Sequence, residues 1–99
     1  MAQQKVLFSF HAAQRMTERI KVKVPTETDV DISSAFFKAK TYQHHNGQMV
    51  EAWASRDTTN KVVLIISRQS RVVLTVLTGG LLNENNTPFV DACYANNQH

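Results

Sequence analysis

The sequence of 99 residues has one cysteine, two prolines, three glycines and no long apolar run. The single cysteine, Cys93, excludes an internal disulfide framework and favours a reducing compartment. The longest apolar run, from Val62 to Ile66, is far shorter than the roughly 18 residues that span a bilayer. The N-terminal residues show no signal-peptide pattern. We therefore expect a cytoplasmic protein without a membrane partner.

The sequence also lacks a cluster of metal ligands and a surplus of acidic residues. Its histidines, Cys93 and carboxylates do not follow the spacing of a metal site, and we predict no metal and no cofactor. All 11 lysines and arginines lie within residues 1–78, beside six acidic residues, whereas residues 79–99 carry only Glu84 and Asp91. A basic body of this kind suits a polyanionic partner such as RNA, and equally an ordinary solvated surface.

The hydrophobic pattern predicts an α+β fold with two N-terminal helices packed on a four-stranded antiparallel sheet. A short extended segment at residues 5–8 comes before the first helix, which Ser9 caps and which runs to about Ile20. The 3, 4, 7 spacing of apolar residues predicts a second helix from about residue 26 to residue 40. Four strands follow, at residues 41–45, 48–55, 61–67 and 71–78.

Residues 1–80 are predicted to form a single domain, followed by a C-terminal tail at 81–99. Thr87 and Pro88 favour the start of a short helix that runs to about Ala95. Such a helix is too short to be stable alone, so it docks through Phe89 and Cys93 or the tail is disordered. The oligomeric state is left open by the sequence.

The first helix carries the strongest functional signal. At 100° per residue its polar residues fall within one arc, which consists of His11, Arg15, Glu18 and Arg19. An imidazole transfers protons near neutral pH, and guanidinium groups hold phosphate oxygens. This face therefore suits phosphodiester chemistry on RNA, although a merely solvated helix face has the same pattern.

The segment from Phe8 to Arg19 resembles a family of small bacterial and phage proteins with a Ser-x-His-Ala-x-x-Arg-Met-x-x-Arg helix and a Thr-Val pair in the last strand, here Thr75-Val76. That family is grouped with RelE-like toxins, in the broad fold of barnase, EndoU and colicin-type nuclease domains. The resemblance covers residues 6–78 in order and pattern. It implies a metal-independent ribonuclease that a neutralising antitoxin or immunity protein inhibits.

By this resemblance, His11 is similar to the expected catalytic histidine, Arg15 and Arg19 to phosphate-binding arginines, and Thr75 to a hydroxyl donor from the sheet. The implied reaction is attack of the ribose 2′-hydroxyl on the phosphate, which yields a cyclic phosphate.

A secondary group of candidates lies on the first predicted hairpin. Asn46-Gly47 favours a two-residue turn, in which Tyr42 faces Glu51 and His44 faces Met49. In that register Tyr42, His44 and Glu51 share one face and could join His11 across the sheet.

Basic residues near the turns form a third group, which could follow an RNA backbone: Lys61, Arg68 and Arg71, with Arg56 as a further candidate. Trp53 could stack a base, but it more often fills a core. Cys93 is better explained as a packed thiol than as a nucleophile.

Two other functions fit the same residues. The protein could be a non-catalytic module that binds nucleic acid or another protein through its basic face. It could also be a phage or mobile-element inhibitor that binds a host protein through the tail at 81–99.

Overall fold

The computed structural model describes residues 3–44, 46–79 and 87–95. Within these residues the chain forms two helices and six strands. The helices are α1 (Phe10–Ile20) and α2 (Thr87–Ala95), and the strands are β1 (Lys5–Phe8), β2 (Val30–Asp31), β3 (Phe36–Gln43), β4 (Met49–Ser55), β5 (Val62–Ser67) and β6 (Val72–Thr78).

The strands form one mixed sheet in the order β2-β1-β6-β5-β4-β3. β1 runs parallel to β6, with Leu7 opposite Val72 and Phe8 opposite Val73. The other neighbouring pairs are antiparallel. The first strand of the chain therefore lies beside β6, and α1, which follows β1 directly, packs over β6.

The two helices cover opposite faces of the sheet. Ala12 and Met16 of α1 are buried in one core, and Val90 and Cys93 of α2 are buried in the other. β5 contributes alternate residues to both cores, with Val62, Leu64 and Ile66 toward α1 and Val63 and Ile65 toward α2. Its continuous apolar run is explained by this burial on both faces.

The prediction of two N-terminal helices on a four-stranded antiparallel sheet is wrong. The segment predicted as the second helix contains β2 and the first half of β3. Phe36 packs in the core beneath α1, whereas the next residue, Phe37, packs in the core beneath α2, and this alternation requires a strand. The Asp31 carboxylate accepts the backbone N–H groups of Gln4 at 3.1 Å and Ser33 at 3.0 Å, so it stabilises a turn beside β1.

The predicted starts of the N-terminal helix and of the C-terminal helix are confirmed. The Ser9 hydroxyl caps α1 by accepting the Ala12 N–H at 3.1 Å, and α1 ends at Ile20, followed by Lys21 in the left-handed conformation at φ 59°. The C-terminal helix is present as α2 and docks through Cys93, as predicted, and through Val90, both fully buried, whereas Phe89 is only partly buried. The remaining parts of the predicted tail, at 81–86 and 96–99, lie outside the described residues.

The hairpin between β3 and β4 has a different register from the one predicted. His44 and Gln48 close the loop, because the His44 N–H donates to the Gln48 carbonyl at 2.7 Å and the Gly47 N–H donates to the His44 carbonyl at 2.8 Å. Gly47 has a φ of 89°, as in a three-residue loop with a glycine bulge. Tyr42 consequently lies opposite Val50, one residue away from the predicted partner.

A bulge interrupts the pairing of β5 with β6. Ile66 lies opposite Val73, whereas the preceding residue, Ile65, lies opposite Thr75. The extra residue in β6 allows both Val73 and Val76 to enter the core beneath α1, although they are three positions apart. Bulges redirect side chains, and this one lies next to Thr75.

Candidate functional site

His11 of α1 contacts Thr75 of β6 at the junction of the helix and the sheet. The His11 Nε2 atom lies 3.3 Å from the Thr75 Oγ1 atom, and either atom can donate, depending on the histidine tautomer. His11 is exposed and Thr75 is half-buried, so the imidazole is held from the sheet side while its ring remains open to solvent. The resemblance gave these two residues, which are 64 positions apart in sequence, separate roles, and the structure places their side chains in contact.

Arg19 reaches the residue next to Thr75. Its Nη1 atom donates to the Val76 carbonyl oxygen at 2.9 Å. His11 and Arg19 are eight residues, or about 12 Å, apart along α1, but they contact consecutive residues of β6. The imidazole and the guanidinium are thus both anchored to β6, but the cleft that Arg19 lines does not include His11.

Arg15 lies between His11 and Arg19 on the same side of α1 and is half-buried. Its Nη1 atom forms an ion pair of 3.1 Å with the Oε1 atom of Glu18. The side chains of Arg15 and Glu18 are 38% and 48% exposed, so this is a solvated pair that a stronger anion can displace. Glu18 holds Arg15 on the candidate face and also reduces its net positive charge.

Phe10 is an exposed aromatic residue next to His11 that the sequence reasoning missed. It is the first residue of α1, directly before His11, and its side chain is 81% exposed. Its helical position does not indicate exposure by itself, since Phe is usually buried. Its position around the helix could have indicated exposure, because Phe10 lies outside the buried stripe formed by Ala12 and Met16.

The three predicted RNA contacts near the turns do not share one site. Lys61 lies before β5, at the end where Val62 pairs with Thr78, whereas Arg68 and Arg71 lie at the opposite end, after Ser67. Arg68 is exposed beside a shallow depression lined by Gly47, Gln48, Met49 and Gln69. Lys61 forms an exposed ion pair of 3.3 Å with Asp91.

Arg71 has partners inside the protein. Its Nη1 atom lies 2.8 Å from the Glu51 Oε1 atom, and its Nη2 atom donates to the Gln4 side chain at 3.1 Å. Trp53, which was considered as a base-stacking residue, is 7% exposed and donates its indole N–H to the same Glu51 oxygen at 2.9 Å. Arg71 and Trp53 therefore stabilise the fold around a buried carboxylate.

The secondary group on the first hairpin is not brought together. Tyr42 packs against Phe89 of α2, with ring centroids 5.7 Å apart, while Glu51 lies with Trp53 on the face toward α1. Burial raises the pKa of the Tyr42 hydroxyl, as does the nearby Cys93 thiol. Tyr42 is thus separated by the sheet from His11, and His44 lies at the loop end of β3. The one-residue difference in register explains this separation, since it moves side chains to the other face.

Cys93 of α2 is fully buried between the helix and the sheet, as expected for a packed thiol. Burial raises the pKa of Cys93 and opposes formation of the reactive thiolate, although Lys40 acts in the other direction.

In the three described parts of the chain, no three His, Cys, Asp or Glu side chains gather closely enough to hold a metal ion. Neither α1 nor α2 has the length and apolar character needed to cross a membrane. Comparison with protein-family models, curated proteins and solved structures finds no match to this chain.

Proposed function

We propose that this protein is a metal-independent endoribonuclease that acts through the polar face of α1. The observation that supports the proposal is the contact of His11 and Arg19 with consecutive residues of β6, Thr75 and Val76. Cleavage of a phosphodiester without a metal needs a proton-transfer group and a cation that holds the phosphate, and in this proposal His11 and Arg19 supply them.

In the proposed reaction the ribose 2′-oxygen attacks the adjacent phosphorus atom and its proton is removed. The bond from phosphorus to the 5′-oxygen breaks, and that oxygen takes up a proton, which leaves a 2′,3′-cyclic phosphate and a 5′-hydroxyl. His11 performs one of these two proton transfers, and a water molecule performs the other. Arg19 and Arg15 hold the phosphate oxygens, and Thr75 orients the imidazole.

The test is cleavage of an end-labelled RNA by the native protein and by matched variants at positions 11 and 75. His11→Asn retains a hydrogen-bonding group for Thr75 but cannot transfer a proton, so we expect at least a hundredfold loss of cleavage rate. Thr75→Val removes the hydroxyl at constant shape, whereas Thr75→Ser retains it, so we expect a loss in the first and near-native rates in the second. Full activity of His11→Asn, or activity that a chelator abolishes, would exclude this mechanism.

A second candidate function is RNA binding without cleavage. The partners of the two arginines argue against a catalytic phosphate clamp, because Arg15 is paired with Glu18 and Arg19 with the Val76 carbonyl. In that case the native protein binds RNA in a salt-dependent manner but releases no cyclic phosphate product, and His11→Asn has little effect on affinity.

The resemblance of α1 to toxin sequences adds two expectations to the nuclease proposal. The protein acts in the cytoplasm, and a neutralising antitoxin or immunity protein accompanies it. Expression of the native chain in bacteria should then arrest growth, and His11→Asn should relieve the arrest. Harmless accumulation of the soluble native protein would favour the binding function.

A further inference from the structure

β3 lies at one end of the sheet order, so only one of its two edges pairs with another strand, β4. The strand is eight residues long and contains no proline. A free edge of this length matters, because unpaired backbone groups can pair with an extended segment of another chain. β2, at the other end of the sheet, has only two residues. β3 therefore offers the longer edge in the described part of the chain.

The loop that closes the hairpin shows which backbone groups of β3 point away from β4. The His44 N–H donates to the Gln48 carbonyl, and in an antiparallel pair every second residue bonds to the partner strand. Counting back from His44, Tyr42 is directed at β4. The N–H and C=O groups of Thr41 and Gln43 therefore point outward, and both residues are exposed.

The other end of β3 gives a third outward residue. The Arg56 N–H donates to the Ala35 carbonyl, so by the same alternation the backbone groups of Lys38 point outward. The pairing with β4 shifts by one residue between Lys38 and Lys40. After Phe36, the outward backbone groups of β3 have no hydrogen-bond partner among the residues that the structure describes.

Two lysines flank this free edge on opposite faces of the sheet. The Lys40 Nζ atom lies 5.0 Å from the centroid of the Phe89 ring and 5.7 Å from that of the Tyr42 ring. These rings hold the ammonium group at the edge, on the side of α2. Lys38 is exposed on the other face, opposite Trp53, which packs beneath α1.

Neither Lys38 nor Lys40 forms an ion pair within residues 3–44, 46–79 and 87–95. Lys38 acts on the Glu51 carboxylate only at longer range, and Arg71 and Trp53 already bind that carboxylate. The edge therefore combines free backbone donors and acceptors with two positive charges that can each bind a carboxylate.

We propose that the free edge of β3 binds an extended acidic segment of another protein, which joins the sheet as an added strand. Thr41 and Gln43 supply the backbone hydrogen bonds, and Lys38 and Lys40 each bind a carboxylate on their own face. A second copy of this chain fits less well, since pairing at the same edge brings four lysines together. The inference goes beyond the nuclease, because β3 lies three strands away from β6, which carries Thr75.

The first test measures binding of two fluorescein-labelled peptides by fluorescence anisotropy. One alternates valine with glutamate and the other alternates valine with lysine, at equal length. The native protein should bind the acidic peptide and not the basic one, and the affinity should fall as salt is added. Lys38→Gln/Lys40→Gln should weaken binding about 25-fold, since one charge pair at 4 Å in water is equivalent to about fivefold. Lys21→Gln/Lys23→Gln is the matched control, because it removes two exposed charges after α1.

Proline at two neighbouring positions tests the addition of a strand. Thr41→Pro removes an outward N–H, so the melting temperature should change by only a few degrees. Its affinity for the acidic peptide should fall at least about fivefold, through the lost hydrogen bond and the bulk of the proline ring. Tyr42→Pro is the contrasting variant, since it removes an N–H directed at Val50 of β4 and should destabilise the fold much more.

The proposal is overturned if the native protein does not bind the acidic peptide, or if Thr41→Pro binds it as the native protein does. It is also overturned if the two double lysine variants bind this peptide alike, a comparison that holds even if Thr41→Pro fails to fold. A native dimer that Thr41→Pro converts to a monomer would assign the edge to a second copy instead. Loss of RNA binding in Lys38→Gln/Lys40→Gln, with no peptide binding by the native protein, would assign the lysines to nucleic acid. Cleavage of RNA does not enter any of these outcomes, so the nuclease proposal stands or fails separately.

Discussion

Arg71, directly before β6, and Glu51 of β4 form an ion pair of 2.8 Å across β5, which lies between these two strands in the sheet. Glu51 is 6% exposed, and its carboxylate is also bound by Trp53. Arg71 has a left-handed backbone, at φ 59°, where glycine would be favoured. Arg71 thus adopts a backbone conformation that is rare for residues other than glycine, while its side chain supplies the cationic partner of a buried carboxylate.

Removal of Arg71 is expected to lower the free energy of unfolding. Arg71→Met leaves Glu51 buried without its ion pair, and we expect a loss of about 3 kcal/mol, because Arg71 is itself partly solvated. The double variant Glu51→Gln/Arg71→Met should be more stable than Arg71→Met alone, since it removes the uncompensated charge. Urea unfolding measures both values. Equal stability of the single and double variants would contradict the role assigned to this pair.

The same pair predicts the response of stability to acid. Burial raises the pKa of Glu51. Hydrogen bonds from Arg71 and Trp53, together with the charges of Arg71 and Lys38, lower this pKa by a larger amount, so the net pKa is below its ordinary value. The contribution of Glu51 is thus present at neutral pH and is lost as the pH falls below the ordinary range for glutamate, about 4.3. In Arg71→Met, burial dominates and the sign reverses, so protonation should stabilise that variant. Unfolding curves between about pH 3 and 7 test this crossover.

Phe10 is expected to support RNA binding by stacking a base. Aromatic stacking contributes about 1–3 kcal/mol for each base. Phe10→Ala should therefore weaken binding of single-stranded RNA at least fivefold, whereas Phe10→Trp should retain it. Since the side chain is 81% exposed, neither change should alter the melting temperature by more than a few degrees. Native affinity in Phe10→Ala would exclude a stacking role.

The docking of α2 is expected to depend on the Tyr94 hydroxyl. This oxygen lies 2.7 Å from the Ser55 hydroxyl in a buried contact. Tyr94→Phe should reduce stability by about 1 kcal/mol, because Ser55 loses this partner while the ring still packs at 5.9 Å from Phe37. Tyr42→Phe is the matched control, since it removes a phenolic hydroxyl beneath the same helix. A larger loss in the control would contradict this prediction.

An element of the fold could be predicted where the interactions that form it are between residues close in sequence. Ser9 caps a helix with one apolar stripe, so both the start and the end of α1 follow from the sequence. The second predicted helix failed because Ile32, Ala35, Phe36 and Ala39 have helical spacing, and the sequence does not show that Phe37 also becomes buried on the opposite face. Tertiary pairing with β4 then overrides the periodicity.

The site was predictable in its helical half and much less so elsewhere. His11, Arg15 and Arg19 share one face by periodicity alone, but the resemblance was needed to bring in Thr75. The partners of Arg71 could not be predicted, since Glu51 and Gln4 are 20 and 67 residues away in sequence. The prediction that Tyr42, His44 and Glu51 share one face was wrong by one residue of register. Asn46-Gly47 is also compatible with a longer loop, and His44 and Gln48 close that loop in the structure.

The parallel pairing of β1 with β6 has a consequence during synthesis. α1 is translated before β6, and the residues that His11 and Arg19 contact are added more than 55 residues after them. A nascent chain therefore carries the imidazole without its anchoring strand, and truncated copies are expected to be inert. If the native enzyme cuts RNA, the ribosome that makes it is not exposed to that activity until nearly the whole domain has emerged.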